Sequence, residues 1–574
     1  MDATTQGPPR VVLTGTTLTV GELTALADGE AVPAVAPEAR ERAVRSWRTA
    51  QRLAASGRLY GRGTGVGAHR SVSVEEADET AHGMRLLRSH AGGSGALLPA
   101  RQVRAMLAVR ANQLLAGGSG IQPAFVDALT EALRLGVHPA VNEYGGIGTG
   151  DLTALAQTGL TLIGERPWVG GDPTDRADTG TRGTRPAGAP DEESYGTVEN
   201  AWPAGDRRAP GTDTGSDACP AGRPDTSWRD GPPGPTPTDS ATRPVATAQA
   251  EPAVLPAPLS LPAPVTLRPG DALALLSSNA LALGQAALAQ HELDVLLRAT
   301  HAVAALSLAA VSGSAEAYAA PVHALRPYPG AARAAGEVRR LLGADGRTSG
   351  TPGRRIQDPF GFRAFPQAHG CALDACERLR TVVEVEVNCP SENPLVTPAD
   401  TTAYHHGGFF AAPLGLALDG ANLALLQTAQ LCVARLSGLG DPALTGLPGF
   451  LAAGPASSSG TMILEYTANS ALAELRSCTA PASAGHAVLS HGLEEAASFA
   501  GQAARQTLRA TDAYVTVLAC ELVTAVRALR LRPVPPQMAA FTVATAALPL
   551  GTDDRPLTGD LTAAAGLLPT LADL

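Results

Sequence analysis

The sequence predicts a mainly α-helical protein that is built as a bundle of long helices. Aromatic residues make up only 4% of the 574 residues, whereas Ala and Leu dominate, which is typical of closely packed helices rather than of β-sandwiches. Apolar stripes at helical spacing, the material of a helical bundle, run through residues 271–308, 413–436, 461–478 and 494–531. Periodicity by itself therefore predicts a helical and oligomeric protein.

Composition divides the chain into four parts. They are an N-terminal part, an insertion, a central helical bundle and a C-terminal segment, at residues 1–166, 167–263, 264–532 and 533–574. The insertion is rich in Pro, Gly, Asp, Thr and Arg, and we expect most of it to be disordered because it cannot bury enough apolar surface to offset its ordering entropy. It contains Trp168, Trp202 and Trp228, which we expect to be unrestrained or to dock on the body or on a partner.

The most informative stretch is the run Tyr144-Gly-Gly-Ile-Gly-Thr-Gly-Asp151, which precedes a predicted helix. Asp151 is well placed to cap that helix. Gly148 and Gly150 permit a backbone so tight that one amide nitrogen approaches a carbonyl two residues away, as an autocatalytic ring closure of the main chain requires. The same residues also fit a simple glycine turn or an anion-binding nest, so the pattern leaves both interpretations open.

Charge and hydropathy argue against nucleic acid and membrane partners. The net charge is −10 without a basic stripe, which is not typical of a nucleic-acid-binding protein. All 44 basic residues are arginine, a bias that indicates a GC-rich genome such as an actinobacterial one. The N-terminus does not resemble a signal peptide, and no uninterrupted apolar run reaches ~18 residues. We therefore expect a cytoplasmic protein.

Searches for metal, phosphate and redox motifs give no candidate. The seven cysteines show no Cys-x-x-Cys spacing, which predicts reduced and mostly buried thiols. His405 and His406 are adjacent and so face apart, and no His-Glu-x-x-His occurs, so we expect no metal site. The glycine-rich stretch 61–67 lacks the Lys-Ser/Thr ending of a phosphate loop, and no convincing Gly-x-Ser-x-Gly elbow is present.

Further motifs follow one another in a fixed order along the chain. They lie at residues 59–67, 86–95, 110–120, 136–140, 323–330, 366–370, 392–396, 446–450 and 554–557. Together with the glycine run they resemble the aromatic amino acid ammonia-lyase family, which includes histidine, phenylalanine and tyrosine ammonia-lyases and the related aminomutases. The resemblance covers nearly the whole chain except the insertion. It implies a long-helix bundle of the ammonia-lyase type with an N-terminal part that carries the active-site loops, and a homotetramer in which several subunits build each active site.

The resemblance also implies a prosthetic group made from the chain itself. In the family an internal Ala-Ser-Gly segment cyclises and loses water to give a methylidene-imidazolone (MIO) electrophile. The corresponding segment here is Gly148-Thr149-Gly150. Thr149 would place an extra methyl on the alkene carbon that a substrate amine attacks, which predicts a weaker electrophile, and Gly148 makes the loop more flexible. The residues fit a cyclised and an uncyclised segment equally.

Several side chains take catalytic roles by this resemblance. Tyr60 corresponds to a mobile-loop tyrosine used as the general base, and a phenol with a pKa near ~10 needs help from its surroundings, which we expect from Arg62 or nearby helix ends. His90 matches the position that reads the substrate ring. Arg363 matches the residue that clamps the substrate carboxylate, a role suited to the guanidinium fork. Glu494 falls where the family places an active-site glutamate. Either Glu494 or Glu495 would hold the substrate amine, or both are solvated helix residues.

Other expected substrate-binding positions depart from the family pattern. The family's Asn-Gly-Thr segment, which supports the prosthetic ring, reads Ser277-Ser278-Asn279 here, so Asn279 substitutes only if the loop shifts. Gln357 is retained, whereas Phe360 replaces a tyrosine and has no hydroxyl. The family's Gly-Asn-Phe-His segment ends here in Phe410 instead of an imidazole. These changes remove polar groups from a site whose chemistry depends on preorganised dipoles, and they indicate a changed or lost reaction.

The combined interpretation is a divergent carbon–nitrogen lyase of bacterial specialised metabolism. It is predicted to act on a small molecule, an aromatic amino acid or a derivative, by amine elimination or amino migration. Two alternatives stay open. One is an MIO-independent elimination or cyclisation enzyme that uses Tyr60 and Glu494, and the other is a catalytically degenerate paralogue that binds a ligand or regulates a functional relative.

Overall fold

The computed structural model describes residues 8–56, 59–170, 261–344, 355–399 and 401–574, and these residues are mainly α-helical, as predicted. The α-helices in these ranges are α1 (Val20–Asp28), α2 (Pro37–Ser56), α3 (Glu79–His90), α4 (Ala100–Ala116), α5 (Ala124–Leu135), α6 (Leu152–Leu162), α7 (Asp271–Leu276), α8 (Ala280–Ala310), α9 (Ala320–Ala324), α10 (Pro329–Leu342), α11 (Phe360–Arg363), α12 (Phe365–Glu386), α13 (Ala412–Gly440), α14 (Pro442–Thr445), α15 (Met462–Ser477), α16 (Ala500–Arg530), α17 (Ala539–Ala547) and α18 (Thr558–Ala572).

Strands in the described ranges are short and pair only two at a time. They are β1 (Arg10–Leu13), β2 (Val32–Val35), β3 (Ser94–Leu97), β4 (Val137–Pro139), β5 (Asn142–Tyr144), β6 (Trp168–Gly170), β7 (Leu395–Thr397) and β8 (Thr402–Tyr404). The pair β1–β2 is parallel, and the pairs β3–β5, β4–β6 and β7–β8 are antiparallel. Two-stranded pairs of this length are not stable alone, so they depend on the helices against which they pack.

The long helices form the core of the protein. Helices α8 and α16 each have 31 residues and pack against each other, while α13, with 29 residues, packs against α16 and α12. Helix α4 packs on α8, and α15 packs on α16. Because α8 is apolar on nearly all sides, it must be covered on all sides, and it is the central helix of the bundle.

Two apolar helical stretches in the described part of the chain are long enough to cross a membrane by length and composition alone. They span Asp271–Ala310 and Ala412–Gly440, and 89% and 50% of their most apolar parts are buried inside the protein. The core helix of a globular bundle meets the same criteria, and the burial of the first stretch is that of a core helix.

A buried ion pair joins α13 to α16 inside the bundle. Arg435 Nε lies 2.6 Å from Glu521 Oε1, Arg435 Nη2 lies 2.8 Å from Glu521 Oε2, and both side chains are 0% exposed. Ser307 on α8 donates to the same carboxylate at 2.7 Å, and Arg435 Nη1 donates to the Gly361 carbonyl at 3.2 Å. Three long helices are thereby held in one register, because the desolvated charges have no other partners of equal strength.

The predicted helix over residues 271–308 is interrupted in the structure. It ends at Leu276 and begins again at Ala280. The break frees the Ser278 carbonyl, which accepts a hydrogen bond from the Asp151 amide at 2.7 Å. In a continuous helix the Ser278 carbonyl would accept a hydrogen bond from an amide of the same helix. The interruption therefore leaves this carbonyl available to Asp151, which is far away in sequence.

The predicted start of the last long helix at residue 494 is wrong. Helix α16 begins at Ala500, and Leu489 and Glu494 face each other across a short loop in which Leu489 N donates to Glu494 O at 2.8 Å. Phe499 has a left-handed φ of 49°, which is strained for a non-glycine residue and separates the loop from the helix.

Part of the predicted insertion belongs to the folded body. Trp168 lies in β6 and pairs with Pro139 of β4, because antiparallel pairing satisfies its backbone there, and so Trp168 is not an unrestrained residue. The described chain continues to Gly170 and resumes at Leu261. The expectations for the rest of the insertion, including Trp202 and Trp228, lie outside the described residues, and the four-part division of the chain stays a prediction.

The six cysteines within the described ranges are all free thiols, as predicted. Cys432 on α13 and Cys520 on α16 are buried in the bundle, whereas Cys371 on α12 is exposed. Burial raises the pKa of Cys520 to about 12.

Glu521→Ala should lower the free energy of unfolding by about 3–5 kcal/mol, because it leaves the Arg435 guanidinium buried without its counter-ion. Chemical denaturation monitored by circular dichroism measures this loss. The matched control is Glu377→Ala, which breaks an exposed pair with Arg380 and should cost at most about 1 kcal/mol. Equal losses for the two variants would contradict a structural role of the buried pair.

Candidate functional site

The glycine run forms a loop between β5 and α6, which we call the glycine loop (residues 144–151). Gly148 and Gly150 have φ angles of +85° and +116°, a region that favours glycine. A Cβ on Gly148 would lie 2.0 Å from Ser498 Oγ and 2.9 Å from Phe499 N. The start of α16 therefore occupies the space of a side chain at residue 148.

Asp151 ties the glycine loop to α8. Asp151 is the N-cap residue of α6, as predicted, but its side chain forms no capping hydrogen bond with that helix. Instead Asp151 Oδ2 accepts a hydrogen bond from Ala282 N at 2.9 Å, in the first turn of α8, whose amides lack partners within the helix. The side chain is 4% exposed, and burial raises the pKa of Asp151 from 3.8 to about 6.

The opposite side of the glycine loop is held by the start of α16. Phe499 N donates to the Ile147 carbonyl at 2.9 Å, and Ser498 Oγ donates to the Gly148 carbonyl at 3.0 Å. Ser498 Oγ also accepts a bond from Ala500 N at 3.3 Å. The loop thus lies at the N-terminal ends of both 31-residue helices, where the helix dipoles give a positive potential.

A cavity of about 1160 Å³ opens beside the glycine loop. Its walls come from residues 65–75, from one face of α3 and from the break between α7 and α8. The predicted site residues that line it are Tyr60, His90, Thr149, Gly150 and Glu494. The chain therefore brings together residues from seven separate segments around one space that is large enough for an amino acid or a larger ligand.

Tyr60 is held inside this cavity as a neutral phenol. Its hydroxyl accepts a hydrogen bond from Gly67 N at 2.8 Å. Burial raises the pKa of Tyr60 above its usual 10, the Gly67 amide partly offsets this effect, and the nearby Glu494 carboxylate raises the pKa further. Arg62 does not offset these effects, because its guanidinium is buried and donates to the Gly120 carbonyl at 2.9 Å. The expectation that Arg62 makes Tyr60 a stronger base is therefore wrong.

His90 is the last residue of α3 and lines the cavity wall. Its Nδ1 lies 2.9 Å from the Leu86 carbonyl, which can only accept, so Nδ1 donates. In a neutral ring Nε2 is then an acceptor for a ligand's N–H or O–H.

The loop before α16 places Glu494, rather than Glu495, beside the cavity. Glu494 is half-buried and lines the wall, whereas Glu495 is exposed. Neither residue is helical, so the interpretation as solvated helix residues is wrong. The turn Ser490–Gly492 contacts the turn Gly67–His69, and the Tyr60 and Glu494 loops therefore adjoin.

Asn279 lies next to the glycine loop with an unsatisfied amide oxygen. It precedes α8, is 4% exposed, and donates from Nδ2 to the Phe409 carbonyl at 2.7 Å. Its Oδ1 is buried without a hydrogen-bond partner among the described residues. A buried acceptor without a donor is costly, so a group with an N–H or O–H at this position would be stabilised. Within the described ranges Phe409, and not Phe410, reaches the cavity wall.

The remaining predicted substrate-binding residues lie elsewhere on the surface of this single chain. Gln357, Phe360 and Arg363 are exposed and, within the described ranges, do not line the cavity. Arg363 Nε donates to the Asp358 carbonyl at 3.1 Å, and its guanidinium lies 4.8 Å from the centre of the Phe360 ring. Their roles at a substrate site stay predictions.

Two residues at the site were missed by sequence reasoning. His82 lines the cavity with Nε2 buried and unpartnered among the described residues, and burial lowers its pKa. Its spacing of eight residues from His90 would place both on one face of a helix and could have indicated it. Ser498 had no such signal, because its contact with Gly148 spans 350 residues of sequence.

The sequence matches the family model described as aromatic amino acid lyase over residues 18–182 and 250–548. A histidine ammonia-lyase from Anaeromyxobacter sp. (strain K) is 32% identical over 527 residues, which cover 91% of this chain and 90% of the relative. A histidine ammonia-lyase from Geobacillus kaustophilus (strain HTA426) is 30% identical over 476 residues, which cover 83% and 79%. The matched ranges leave out residues 183–249, which lie inside the predicted insertion.

Solved structures share the fold. The tyrosine aminomutase from Streptomyces globisporus superposes with a TM-score of 0.78 at 23% identity and covers 98% of this chain and 97% of that chain. The ergothionase from Treponema denticola, in complex with desmethyl-ergothioneine sulfonic acid, gives a TM-score of 0.77 at 21% identity and covers 98% and 100%.

Asp151→Asn should gain stability relative to the unchanged protein as the pH rises from about 4 to above 6. Because the folded state holds the Asp151 proton more tightly than the unfolded chain does, the unchanged protein loses stability over this range, by about 3 kcal/mol. The amide stays neutral and keeps an acceptor for Ala282 N. Denaturation of both proteins at several pH values measures the difference, and a difference that does not vary with pH would contradict the prediction.

Proposed function

This chain belongs to the aromatic amino acid lyase family, and on that basis we propose that it eliminates or moves the amine of an aromatic amino acid or a closely related amine. The observation that carries the proposal is the single cavity that Tyr60, His90, Thr149 and Glu494 line together. Amine elimination is supported by the curated relatives, which are named histidine ammonia-lyases.

The segment Gly148-Thr149-Gly150 is the proposed source of an MIO-like prosthetic group. Three observations fit such a group. The two glycines hold left-handed φ angles, and the amide ends of α8 and α16 contact the loop. Asn279, which follows the Ser278 carbonyl that binds Asp151 N, has a buried Oδ1 without a donor among the described residues. When formed, the group supplies an electrophile for the substrate amine.

The side chains around the cavity bind the substrate and move its protons. Glu494 holds the substrate ammonium, and His90 Nε2 accepts a hydrogen bond from the substrate side chain. Tyr60 transfers the proton at the substrate carbon. Because the Glu494 charge raises the pKa of Tyr60, a bound ammonium that offsets this charge makes loss of the phenol proton easier. Substrate binding thus prepares the base.

A second copy of the chain is proposed to bring Arg363 to the cavity as a carboxylate clamp. Leu416 and Leu423 on α13 are 61% and 46% exposed, and Phe360 is 62% exposed. Apolar side chains exposed along a long helix favour an interface, and they support a homotetramer. Light scattering of the purified protein tests this assembly, and a monomer would contradict it.

A cofactor-free reaction is the second candidate. The closeness of Tyr60 and Glu494 favours it, because an acid and a base in one cavity can carry out an elimination without an electrophile. It requires an unmodified Thr149, whereas the leading proposal requires a modified one.

Tyr60→Phe should lower kcat by about 10²-fold or more, because it removes the hydroxyl that transfers the proton. The assay incubates the protein with histidine, tyrosine and phenylalanine and follows the conjugated acid by its ultraviolet absorbance. Tyr328→Phe is the matched control, since Tyr328 is 67% exposed and is not among the residues that line the cavity in the described chain. Equal activity of Tyr60→Phe and the unchanged enzyme would contradict the role of Tyr60.

A proteolytic peptide that contains residues 148–150 should be lighter than its sequence mass by two water molecules. Thr149→Ser should show the same loss and should react faster with the substrate, by about 10-fold or more, because the alkene carbon then carries no methyl that donates electrons and blocks approach. Mass spectrometry and single-turnover kinetics measure the two effects. A full-mass peptide in the unchanged protein would contradict the proposed electrophile and favour the cofactor-free reaction.

A further inference from the structure

Ser498 connects the start of α16 to one carbonyl of the glycine loop. Its Oγ donates to the Gly148 carbonyl oxygen at 3.0 Å and accepts from Ala500 N at 3.3 Å, and the side chain is 3% exposed. The hydroxyl therefore links the Ala500 amide at the helix end to the Gly148 carbonyl in a chain of two hydrogen bonds. Because the side chain is buried, water does not compete for these bonds.

Ring closure of this segment begins at the same carbonyl. The Gly150 amide nitrogen attacks the Gly148 carbonyl carbon, a C–N bond forms, and the carbonyl oxygen becomes an oxyanion that takes the proton lost by the Gly150 nitrogen. The resulting hydroxyl leaves as water with the amide hydrogen of Thr149, which creates a C=N bond. The Thr149 hydroxyl leaves with the Cα hydrogen as a second water. The two waters balance all atoms, and no oxidant is needed.

We propose that Ser498 is a positioning residue for this ring closure, in which its hydroxyl polarises the Gly148 carbonyl and stabilises the negative charge that develops on its oxygen. A preorganised donor at a developing oxyanion is among the largest contributions to rate in acyl chemistry. The inference rests on the proposed function, because it requires that Gly148-Thr149-Gly150 cyclises.

The glycine at residue 148 belongs to the same arrangement. A Cβ there would lie 2.0 Å from Ser498 Oγ, so the hydroxyl and a side chain at residue 148 exclude each other in this conformation. Where the family has alanine, this chain has a glycine and a hydroxyl in the space of the methyl. The hydroxyl can then approach the carbonyl oxygen without a steric obstacle.

Backbone strain at the neighbouring residue supports a specific role for this junction. Phe499 holds a left-handed φ of 49°, which costs a non-glycine residue about 1–3 kcal/mol. This conformation directs Phe499 N to the Ile147 carbonyl and accompanies the Ser498 contact with Gly148. Two adjacent carbonyls of the glycine loop thus receive donors from one strained junction.

The test compares Ser498→Ala with Gln506→Ala in the full chain. Gln506 lies two turns further along α16, is 7% exposed and donates to the Ala480 carbonyl at 3.2 Å, so its removal weakens the packing of α16 without touching the glycine loop. Each protein is made by cell-free synthesis and quenched at intervals. Mass spectrometry gives the fraction of the 148–150 peptide that has lost water, and circular dichroism gives the melting temperature.

Ser498→Ala should cyclise about 10²-fold more slowly than the unchanged protein, whereas Gln506→Ala should cyclise at the unchanged rate even where its melting temperature falls as far. Ser498→Cys keeps the shape of the side chain but is a weaker donor, and it should give an intermediate rate. If Ser498→Ala does not fold, Ser498→Cys carries the comparison.

Three outcomes overturn the inference. If Ser498→Ala and Ser498→Cys cyclise at the unchanged rate, Ser498 has no role in ring closure, while the ring itself leaves the proposed function intact. If cyclisation follows the melting temperature in the Ser498 and Gln506 variants alike, Ser498 is only structural. If the unchanged protein never loses water, the proposed electrophile and this inference fail together.

Discussion

The unpaired amides at the start of α8 and α16 are the constraint on which the site depends. The first turn of any helix leaves amides without partners inside the helix, and in a packed bundle they must be satisfied by other groups. Here the glycine loop satisfies them, through the Asp151 carboxylate on α8 and the Ile147 carbonyl on α16. Because the loop is fixed by the ends of these two 31-residue helices, its position follows from the packing of the bundle. This position requires left-handed φ angles at residues 148 and 150, where both residues are glycine.

The site combines a rigid half with a half made of loops. The rigid half is the glycine loop on the bundle, and the Arg435–Glu521 pair fixes the helices beneath it. The other half consists of the segments that carry Tyr60 and Glu494, which adjoin each other through two short turns. An electrophile must be held still, whereas a general base has to let its substrate enter. The division of the cavity between bundle and loops therefore matches the two tasks.

The fold class was accessible from sequence, whereas the arrangement of the cavity depended on contacts between distant segments. Helical periodicity predicted the bundle, because an apolar stripe along a helix indicates that this face of the helix is buried against other helices. It could not show the break at Ser277-Ser278-Asn279, since the break is stabilised by Asp151, more than a hundred residues away. Motif resemblance singled out Tyr60 and Thr149, and in the structure both residues line one cavity. The partner of the Asp151 carboxylate was predicted wrongly, because a local capping pattern cannot reveal that another helix competes for the same oxygen.

The buried thiols allow opening of the helical bundle to be measured by cysteine alkylation. Cys432 and Cys520 lie on α13 and α16, and both are 0% exposed. An alkylating reagent reacts with thiolate, and burial raises the pKa of both thiols, so neither side chain is modified while the helices remain packed. Their labelling kinetics then count openings of the interior. Hydrogen exchange of the backbone amides in the loops that carry Tyr60 and Glu494 measures a different event, the local opening of the cavity walls. Cysteine alkylation and amide hydrogen exchange can be measured on the same sample, and comparing their rates separates global from local fluctuations.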